Sequence, residues 1–424
     1  MPAWSQQPSQ PISSDSGRAL FLGHTTDEPP APLAVLRGSG SGLSVPAERF
    51  ACANCHGRDG HGDAEGTVRA PSVRWQDLTR ASTLRLAYDA DGLRRAILEG
   101  IDPSGRTLDR LMPGYALTEP QMQSLIAYLG GIDEEQRIGV EPAAIRLGIL
   151  AQSASDNFPD AMTEALRHTA PALIFGRRIE LVPLDGRVDA STRDRLRNAR
   201  IVATLALPHS SQELWPELAR LGIPNLFPRT LLRGDEPKAD TIGLLATLDE
   251  IGRASLDRAA ACANGPLTII VSDRDQPSQR LAAAARSRAA TRPELPPPVM
   301  QSISSATRNP TPSTRAGPCA LVFADPQEIL ALTSISPPRR YVGLIDQFAL
   351  AQQKAVAARH ELTLADPRSI QGRDVDTAGF AELVAQSIVR ALQSSGRLVT
   401  RSSFMAALRR NVPSPNQPTV AWRS

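Results

Sequence analysis

The sequence of 424 residues is poor in aromatic residues, lysine and cysteine, and it has no long apolar run. Aromatic residues make up 4% of the chain, and Lys238 and Lys354 are its only lysines, so nearly every basic side chain is arginine. Without an apolar stretch of about 20 residues, no membrane-spanning helix is predicted. The net charge of +3 comes from interspersed acids and bases, which gives no clustered basic surface for nucleic acid.

Length and composition predict a globular protein with more than one domain. A chain of 424 residues is longer than one hydrophobic core usually serves, and its apolar fraction of 41% is ordinary for globular proteins. The hydrophobic pattern changes across a polar stretch at 133–143, which we predict to be a linker. We therefore expect one domain over 17–132, a second over 144–412, and a disordered tail over 413–424.

The chemistry of the first predicted domain is indicated by Cys52-Ala53-Asn54-Cys55-His56. This C-x-x-C-H spacing is typical of covalent haem c, in which two thiols form thioethers with the porphyrin and His56 is an iron ligand. A bare C-x-x-C pair could instead be a redox dithiol or half of a zinc site. The adjacent histidine, the glycines after it and a methionine downstream favour haem. Because the sequence has no second such motif, we expect one haem.

Met112 is the predicted second axial ligand of the iron. It lies directly before Pro113, and a thioether opposite histidine favours the ferrous state and raises the reduction potential. Met122 is the competing thioether, but it lies in the apolar stripe of a predicted helix and is expected in the core.

Two residues after the motif are further candidates for the haem surroundings. The carbonyl of Pro71 could accept a hydrogen bond from His56 and so fix the orientation of the imidazole. Arg69 could contact the haem propionates, or it could be an ordinary exposed arginine on a loop.

These features resemble the class I c-type cytochromes. A predicted helix that begins at Gly17 and another that begins near Thr118 and ends at Gly130-Gly131 resemble the crossing terminal helices of that family, where a glycine lets an aromatic side chain approach. The resemblance implies an all-α cytochrome c domain. The segment from His24 to Phe50 departs from the family's pattern, and it could be a docking surface or a wrap over the haem edge.

The second predicted domain alternates strands and helices, which indicates parallel α/β structure. The stretches Gly148-Ile149-Leu150, Gly176 to Leu181 and Gly222-Ile223-Pro224 resemble type I periplasmic binding proteins. The stretch Ser394 to Thr400, before a predicted helix, resembles the branched-chain amino-acid branch of that family. The resemblance implies two α/β lobes hinged around a small-molecule cleft, as in ABC transporter substrate-binding proteins. The expected fold is thus multidomain, a cytochrome c domain followed by a two-lobed α/β domain.

The same resemblance implies where a ligand would bind. The family holds the ligand carboxylate after the third strand, and the residues here are His209, Ser210 and Ser211. The serines fit an ordinary helix N-cap equally well. Thr230 and Asp346, which each follow a predicted strand, are weaker cleft candidates. The domain could equally have lost its ligand and serve for docking.

The haem motif also determines the expected compartment. Haem of this kind is attached outside the bacterial cytoplasm, so we expect a periplasmic protein whose signal peptide was removed or lies upstream, since Met1 to Asp15 has no apolar signal region. In an oxidising compartment, Cys262 and Cys319 could form a disulfide, or they could be two small buried apolar side chains.

Taken together, the two resemblances imply an exported mono-haem cytochrome that carries single electrons. Its redox partners would be a periplasmic dehydrogenase and the respiratory chain or an oxidase, and the second domain would serve for docking or ligand control. The alternative is a small-molecule binding or sensing protein with an attached redox module. No nucleophile–base pair or nucleotide fingerprint is apparent, so we expect no catalytic activity of its own.

Overall fold

The computed structural model has two domains of different architecture. Residues up to 135 are mainly helical, whereas those from 144 onward combine strands with helices. The structure describes residues 14–24, 29–37, 42–62, 64–65, 68–83, 85–151, 153–232, 241–261, 266–308, 319–335, 340–344, 361–366, 369–370, 373–374, 376–411 and 421–423. Within these ranges, no helix is long and apolar enough to cross a membrane.

The first domain is bounded by the two helices that the sequence predicts. Its helices are α1 (Ser14–Leu22), α2 (Cys52–His56), α3 (Trp75–Leu78), α4 (Ala90–Leu98) and α5 (Glu119–Glu135). Helix α5 starts with a capping box. The Thr118 hydroxyl accepts a hydrogen bond from the Gln121 amide, and the side-chain oxygen of Gln121 accepts one from the Thr118 amide.

Helix α5 continues past the glycine pair at which the sequence predicts its end. Gly130 and Gly131 are helical, and nothing lies within 4 Å of where a Cβ would be at either position. A glycine costs a helix only about 1 kcal/mol relative to alanine, and the next turn buries Ile132 and Glu135. The helix therefore takes up the first three residues of the predicted linker, 133–143.

Helices α1 and α5 cross in close contact at Gly17. A Cβ at this position would lie 1.9 Å from the carbonyl oxygen of Ser124, so the backbones themselves touch. One turn further along, the rings of Phe21 and Tyr128 pack with their centroids 5.4 Å apart. The sequence predicts this close approach, but the structure shows that the glycine makes room for the backbone of α5, and that the aromatic pair packs beside it.

Replacing Gly17 by alanine is expected to lower the free energy of unfolding of the first domain by about 3 kcal/mol, the upper end of the range for overpacking. A backbone carbonyl cannot rotate away as a side chain can, so the helices must separate. The matched control is Gly130→Ala in the open part of α5, which is expected to raise stability by up to about 1 kcal/mol. Denaturant unfolding followed by haem absorbance measures both, and equal stability of the two variants would contradict the packing described.

A small antiparallel sheet is added to this helical domain by the segment from His24 to Phe50. Its strand order is β2-β1-β5, with β1 at Leu33–Val35, β2 at Ser44–Pro46 and β5 at Gly114–Ala116. A short hairpin, whose strands β3 (Ala64–Glu65) and β4 (Val68–Arg69) have two residues each, follows the motif helix. The additional segment thus pairs with the strand that directly follows Met112-Pro113.

The described residues of the second domain include two large separate sheets, as predicted for a two-lobed α/β domain. The first sheet is parallel throughout and has the order β10-β9-β8-β6-β7. Its strands are β6 (Ala144–Ile149), β7 (Arg178–Pro183), β8 (Ala203–Leu205), β9 (Asn225–Leu226) and β10 (Thr241–Ile242). Strands β8 and β9 are buried along their whole length, as expected of strands covered on both faces.

The second sheet has the order β12-β11-β13-β14-β15-β18. Its strands are β11 (Thr268–Val271), β12 (Val299–Ser302), β13 (Cys319–Phe323), β14 (Arg340–Leu344), β15 (Glu361–Asp366) and β18 (Ala421–Arg423). The short hairpin of β16 (Ser369–Ile370) and β17 (Arg373–Asp374) is separate from it. Strand β18 pairs antiparallel with β15. The prediction of a disordered tail over 413–424 is therefore wrong for residues 421–423, because this edge strand gains backbone hydrogen bonds.

Helices cover both sheets, and the last two return to the first sheet. The helices of the first lobe are α6 (Phe158–Thr169), α7 (Thr192–Ala199), α8 (Trp215–Arg220), α13 (Thr377–Ser395) and α14 (Arg401–Asn411), and those of the second are α9 (Leu248–Ala260), α10 (Gln276–Ala290), α11 (Ile303–Arg308) and α12 (Pro326–Ile335). Helices α6, α13 and α14 share one core with β6, β8 and β9. The chain therefore crosses between the lobes more than once.

The two domains meet where α5 ends and α14 begins. The carbonyl of Gln136 accepts a hydrogen bond from the Arg401 amide at 2.8 Å, and its side-chain oxygen accepts one from the Ser402 amide at 3.0 Å. The buried Arg401 guanidinium donates to the carbonyls of Ile201 and Val202 at 3.1 and 3.0 Å. Both carbonyls precede β8, so the first domain packs at the amino ends of the first sheet.

Candidate haem-binding site

The two motif cysteines lie on one face of a short helix. Cys52 and Cys55 are the first and fourth residues of α2, and residues three apart on a helix are neighbours on its surface. Both thiols are free, with Cys52 half-buried and Cys55 exposed. Gly57, at a φ of 73°, ends the helix directly after His56. The spacing of the motif thus presents two thiols side by side and the histidine at the end of the same turn.

His56 is held by a hydrogen bond to the carbonyl of Pro71. The imidazole is 8% exposed, and its Nδ1 lies 2.8 Å from the Pro71 oxygen. A carbonyl oxygen only accepts, so Nδ1 carries the proton and Nε2 keeps its lone pair. Burial lowers the pKa of His56, although the bond to Pro71 acts in the opposite direction. The side chain is therefore a neutral, oriented imidazole with one nitrogen available to a metal.

Two glycines bring the Pro71 segment close to the motif. A Cβ at Gly62 would lie 2.3 Å from the carbonyl oxygen of Ala70 and 3.0 Å from that of Pro71, and its φ is 85°. The Gly62 amide donates to the His56 carbonyl at 2.8 Å, and the Val73 amide donates to the Gly60 carbonyl at 2.7 Å. These glycines are what lets a carbonyl fifteen residues away reach the imidazole.

The surroundings of Cys52 fit a thioether better than a metal thiolate. Burial raises the pKa of the Cys52 thiol to about 11, against the opposing hydrogen bond with Tyr115. A redox dithiol or a zinc ligand is normally held as thiolate in electropositive surroundings. Among the residues that the structure describes, no three His, Cys, Asp or Glu side chains are grouped as a metal site. The cysteine pair thus lacks, in this part of the chain, the additional ligands of a tetrahedral zinc site.

Exposed apolar side chains flank the motif and Met112. Phe50 precedes the motif helix and is 38% exposed, and Leu111 precedes Met112 and is 64% exposed. Large apolar side chains are usually buried. A flat, apolar porphyrin would cover side chains of this kind, so the residues present fit a haem.

Met112 lies in a turn that leads into β5. Its amide donates to the Asp109 carbonyl at 3.0 Å, and the Leu111 amide donates to the Asp109 carboxylate at 2.9 Å. The side chain is half-buried. Met122, by contrast, is 1% exposed in the core beneath α1, as the sequence predicts for it. The role of Met112 as an axial ligand stays a prediction.

Tyr115, the aromatic residue that closely follows Met112-Pro113, connects the two sides of the candidate site. Its hydroxyl donates to the Phe50 carbonyl at 2.7 Å, and its side chain hydrogen-bonds Cys52. Burial raises the pKa of Tyr115, so it stays a neutral phenol. Arg69 lies in β4, and its side chain is outside the described residues.

The predicted cleft residues of the second domain are only partly brought together. Ser211 is buried, and its hydroxyl donates to the Pro208 carbonyl at 2.6 Å, so it stabilises its own turn. Thr230 is buried, and its hydroxyl accepts from the side chain of Gln212 at 3.5 Å. Ser210 is exposed. The side chain of His209 and the whole of Asp346 lie outside the described residues.

An arginine that sequence reasoning missed occupies the carboxyl ends of the first sheet. The guanidinium of Arg229 donates to both carboxylate oxygens of Asp156 at 2.9 and 2.6 Å, and it stacks over the ring of Phe158 at 4.6 Å. It also donates to the carbonyls of Leu150 and Ala206 at 3.4 and 2.9 Å. Leu150 follows β6 and Ala206 follows β8, so this one side chain ties neighbouring strand ends together.

Comparison with known proteins identifies the first domain. The family model described as cytochrome c matches residues 47–133, a span that holds the motif, Pro71 and Met112. No curated protein matches the chain. The prediction of a c-type cytochrome domain is therefore confirmed, and such a domain implies covalently attached haem c.

Solved structures similar to the chain include two substrate-binding proteins of ABC transporters and a putative ABC transporter. A fatty acid ABC transporter substrate-binding protein from Thermomonospora curvata has a TM-score of 0.45 and 13% identity, covering 67% of this chain and 85% of that one. An ABC transporter substrate-binding protein from Desulfitobacterium hafniense in complex with Leu has a TM-score of 0.47 and 14% identity, covering 62% of this chain and 88% of that one. A putative branched-chain amino acid ABC transporter from Rhodospirillum rubrum has a TM-score of 0.45 and 16% identity, covering 62% of this chain and 88% of that one. Residues 47–133 form a cytochrome c domain, which is followed by an α/β domain with two large, mainly parallel sheets.

Proposed function

We propose that the chain is an exported electron carrier with one covalent haem, which takes single electrons from a periplasmic dehydrogenase and passes them towards the respiratory chain. The observation that carries this proposal is the geometry of α2. It presents two free thiols on one face, followed by an imidazole whose Nε2 is left with its lone pair by the bond to Pro71.

Each residue of the candidate site has a distinct task in this function. Cys52 and Cys55 would hold the haem covalently, and His56 and Met112 would be the ligands of its iron. The bound haem supplies a metal centre that gains and loses one electron. With His56 and Met112 both as iron ligands, substrates would be kept from the iron, which favours a carrier over an enzyme.

We assign the second domain a docking or control role. Ligands of open α/β sheets bind at the carboxyl ends of the strands, and there the Arg229–Asp156 pair already satisfies the groups at two strand ends of the first sheet. A ligand at this edge would have to separate a partly buried ion pair, and leaving either charge unpaired is costly. The first domain packs at the opposite, amino-terminal edge. Any effect of a ligand on the haem would therefore have to cross the sheet.

A redox titration of the exported, full-length protein tests the carrier function. The expected result is a single reversible step with the slope of one electron per chain, and no binding of carbon monoxide to the reduced protein. Two haem steps, or ready binding of carbon monoxide by the wild type, would contradict a carrier with both axial positions filled.

A further inference from the structure

Residues 29–37 and 42–50, here called the strap, lie between α1 and the motif helix and have no task in the proposed electron transfer. Strand β1 of the strap nevertheless pairs antiparallel with β5, which begins two residues after Met112. The register joins Leu33 to Ala116, Ala34 to Tyr115 and Val35 to Gly114. Ala34 is fully buried between β2 and β5. The strap thus supplies a neighbouring strand to the segment that follows the predicted iron ligand.

Arg37, which closely follows β1, fastens the strap to a helix of the domain. Its guanidinium donates to the carbonyls of Glu99 and Leu98 at 2.6 and 3.4 Å, at the carboxyl end of α4. A cation is favoured at this end by the helix dipole and by the unpaired carbonyls. Gly100 leaves the space for it, because a Cβ there would lie 1.0 Å from the guanidinium nitrogen. A Cβ at Gly114, in β5, would also lie only 3.0 Å from this group.

Two more hydrogen bonds hold the ends of the strap. The side-chain amide of Gln121, in the first turn of α5, donates to the Pro30 carbonyl at 2.9 Å. The Tyr115 hydroxyl of β5 donates to the Phe50 carbonyl at 2.7 Å. The strap is therefore fixed at its start, at β1, at Arg37 and at its end, and two of these four contacts are made with β5.

We propose that the strap positions Met112 for the haem iron, and that Arg37 is the positioning residue that holds the strap against the end of α4. The proposal rests on the proposed function, in which Met112 is an axial ligand. A loop that is already ordered loses little conformational freedom when its methionine binds the iron. Without the strap, β5 loses its neighbouring strand β1, so we expect the segment that contains Met112 to be less ordered and the ligand to leave the iron more often.

Carbon monoxide measures this departure, because it binds reduced haem only when the sixth position is open. Its apparent affinity rises in proportion to the open fraction. In the Arg37→Ala holoprotein we expect roughly a tenfold rise in carbon monoxide affinity, which corresponds to about 1.4 kcal/mol of lost positioning. The far-red sulfur-to-iron absorption band of the oxidised protein should weaken in parallel, and Arg37→Lys should restore part of it. The matched control is Arg49→Ala, which removes the same charge from an exposed position of the strap.

A second pair of variants tests the contact between Arg37 and the end of α4 by changing the space that the guanidinium occupies. Gly100→Ala places a methyl group where the guanidinium lies, whereas Gly105→Ala has nothing within 4 Å. Both glycines have a positive φ, 74° and 79°, so alanine costs the two positions similar backbone strain. Only Gly100→Ala should therefore raise carbon monoxide affinity and weaken the sulfur-to-iron band.

The outcomes separate the strap from the proposed function. If Arg37→Ala and Gly100→Ala bind carbon monoxide like their controls, and the one-electron titration of the wild type is intact, the strap proposal is overturned and the carrier function stands. If the wild type carries no covalent haem, both proposals are overturned. A change confined to Arg37→Ala and Gly100→Ala supports the strap.

Discussion

Replacing both Cys52 and Cys55 by alanine is expected to abolish covalent haem attachment completely. Each thiol adds across one vinyl group of the porphyrin, so a chain without either thiol has no atom with which to form the bond. Both thiols lie on the same face of α2 beside His56, where one flat ring can meet all three side chains. The measurement is the haem absorbance that stays with the polypeptide after denaturation and acidic extraction.

A cysteine outside the motif provides the control for this prediction. Cys319 lies in β13 and is disulfide-bonded. Cys319→Ala is expected to lower stability by about 2–4 kcal/mol through loss of the disulfide, and to retain the full amount of covalent haem. Haem that survives in the Cys52→Ala, Cys55→Ala double variant would show that the attachment site lies elsewhere.

Replacing Met112 by alanine is expected to lower the reduction potential and to open the iron to carbon monoxide. A thioether is a soft, neutral ligand that favours the ferrous state, so its loss favours the ferric state. The alanine leaves α5 and the α1–α5 crossing untouched, because Met112 lies outside that core. Haem attachment should be unchanged, since the thioethers and His56 remain. Redox titration and the sulfur-to-iron band measure the two effects on one sample.

Met122 provides the matched control, because it is the other thioether of the first domain and lies in its core. Met122→Leu keeps the volume of a side chain that is 1% exposed and should cost less than about 1.5 kcal/mol of stability. Its potential and its sulfur-to-iron band should equal those of the wild type. If Met112→Ala keeps the band and Met122→Leu loses it, the axial assignment is reversed.

The parts of the site that could be predicted from sequence are those that local spacing determines. The C-x-x-C-H motif fixes which residues share a helical turn, and the start of α5 is readable from Thr118 and Gln121 as a capping box. The Pro71 carbonyl is the predicted partner of His56, and it lies 2.8 Å from Nδ1.

The parts that could not be predicted depend on contacts between distant segments. Pairing of β1 with β5 joins residues about eighty positions apart, and nothing in either three-residue strand specifies the partner. The Arg229–Asp156 pair spans 73 positions, and an arginine after a strand is in most cases a surface residue. The end of α5 was misplaced because tertiary burial of Ile132 and Glu135 outweighs the weak preference of glycine against helix.

The predicted disulfide shows the same limit. Pairing of cysteines cannot be deduced from one sequence, and the structure shows only that Cys319 is disulfide-bonded. Its predicted partner, Cys262, lies outside the described residues.

The intact mass of the full-length protein, exported by a host that attaches c-type haem, tests the central claim most directly. Adding a thiol across a vinyl group loses no atoms, so the denatured chain should have the mass of the polypeptide plus one haem. The increment should map to the peptide that contains Cys52 and Cys55. A denatured chain with the mass of the polypeptide alone, or with two haems, would contradict a mono-haem cytochrome.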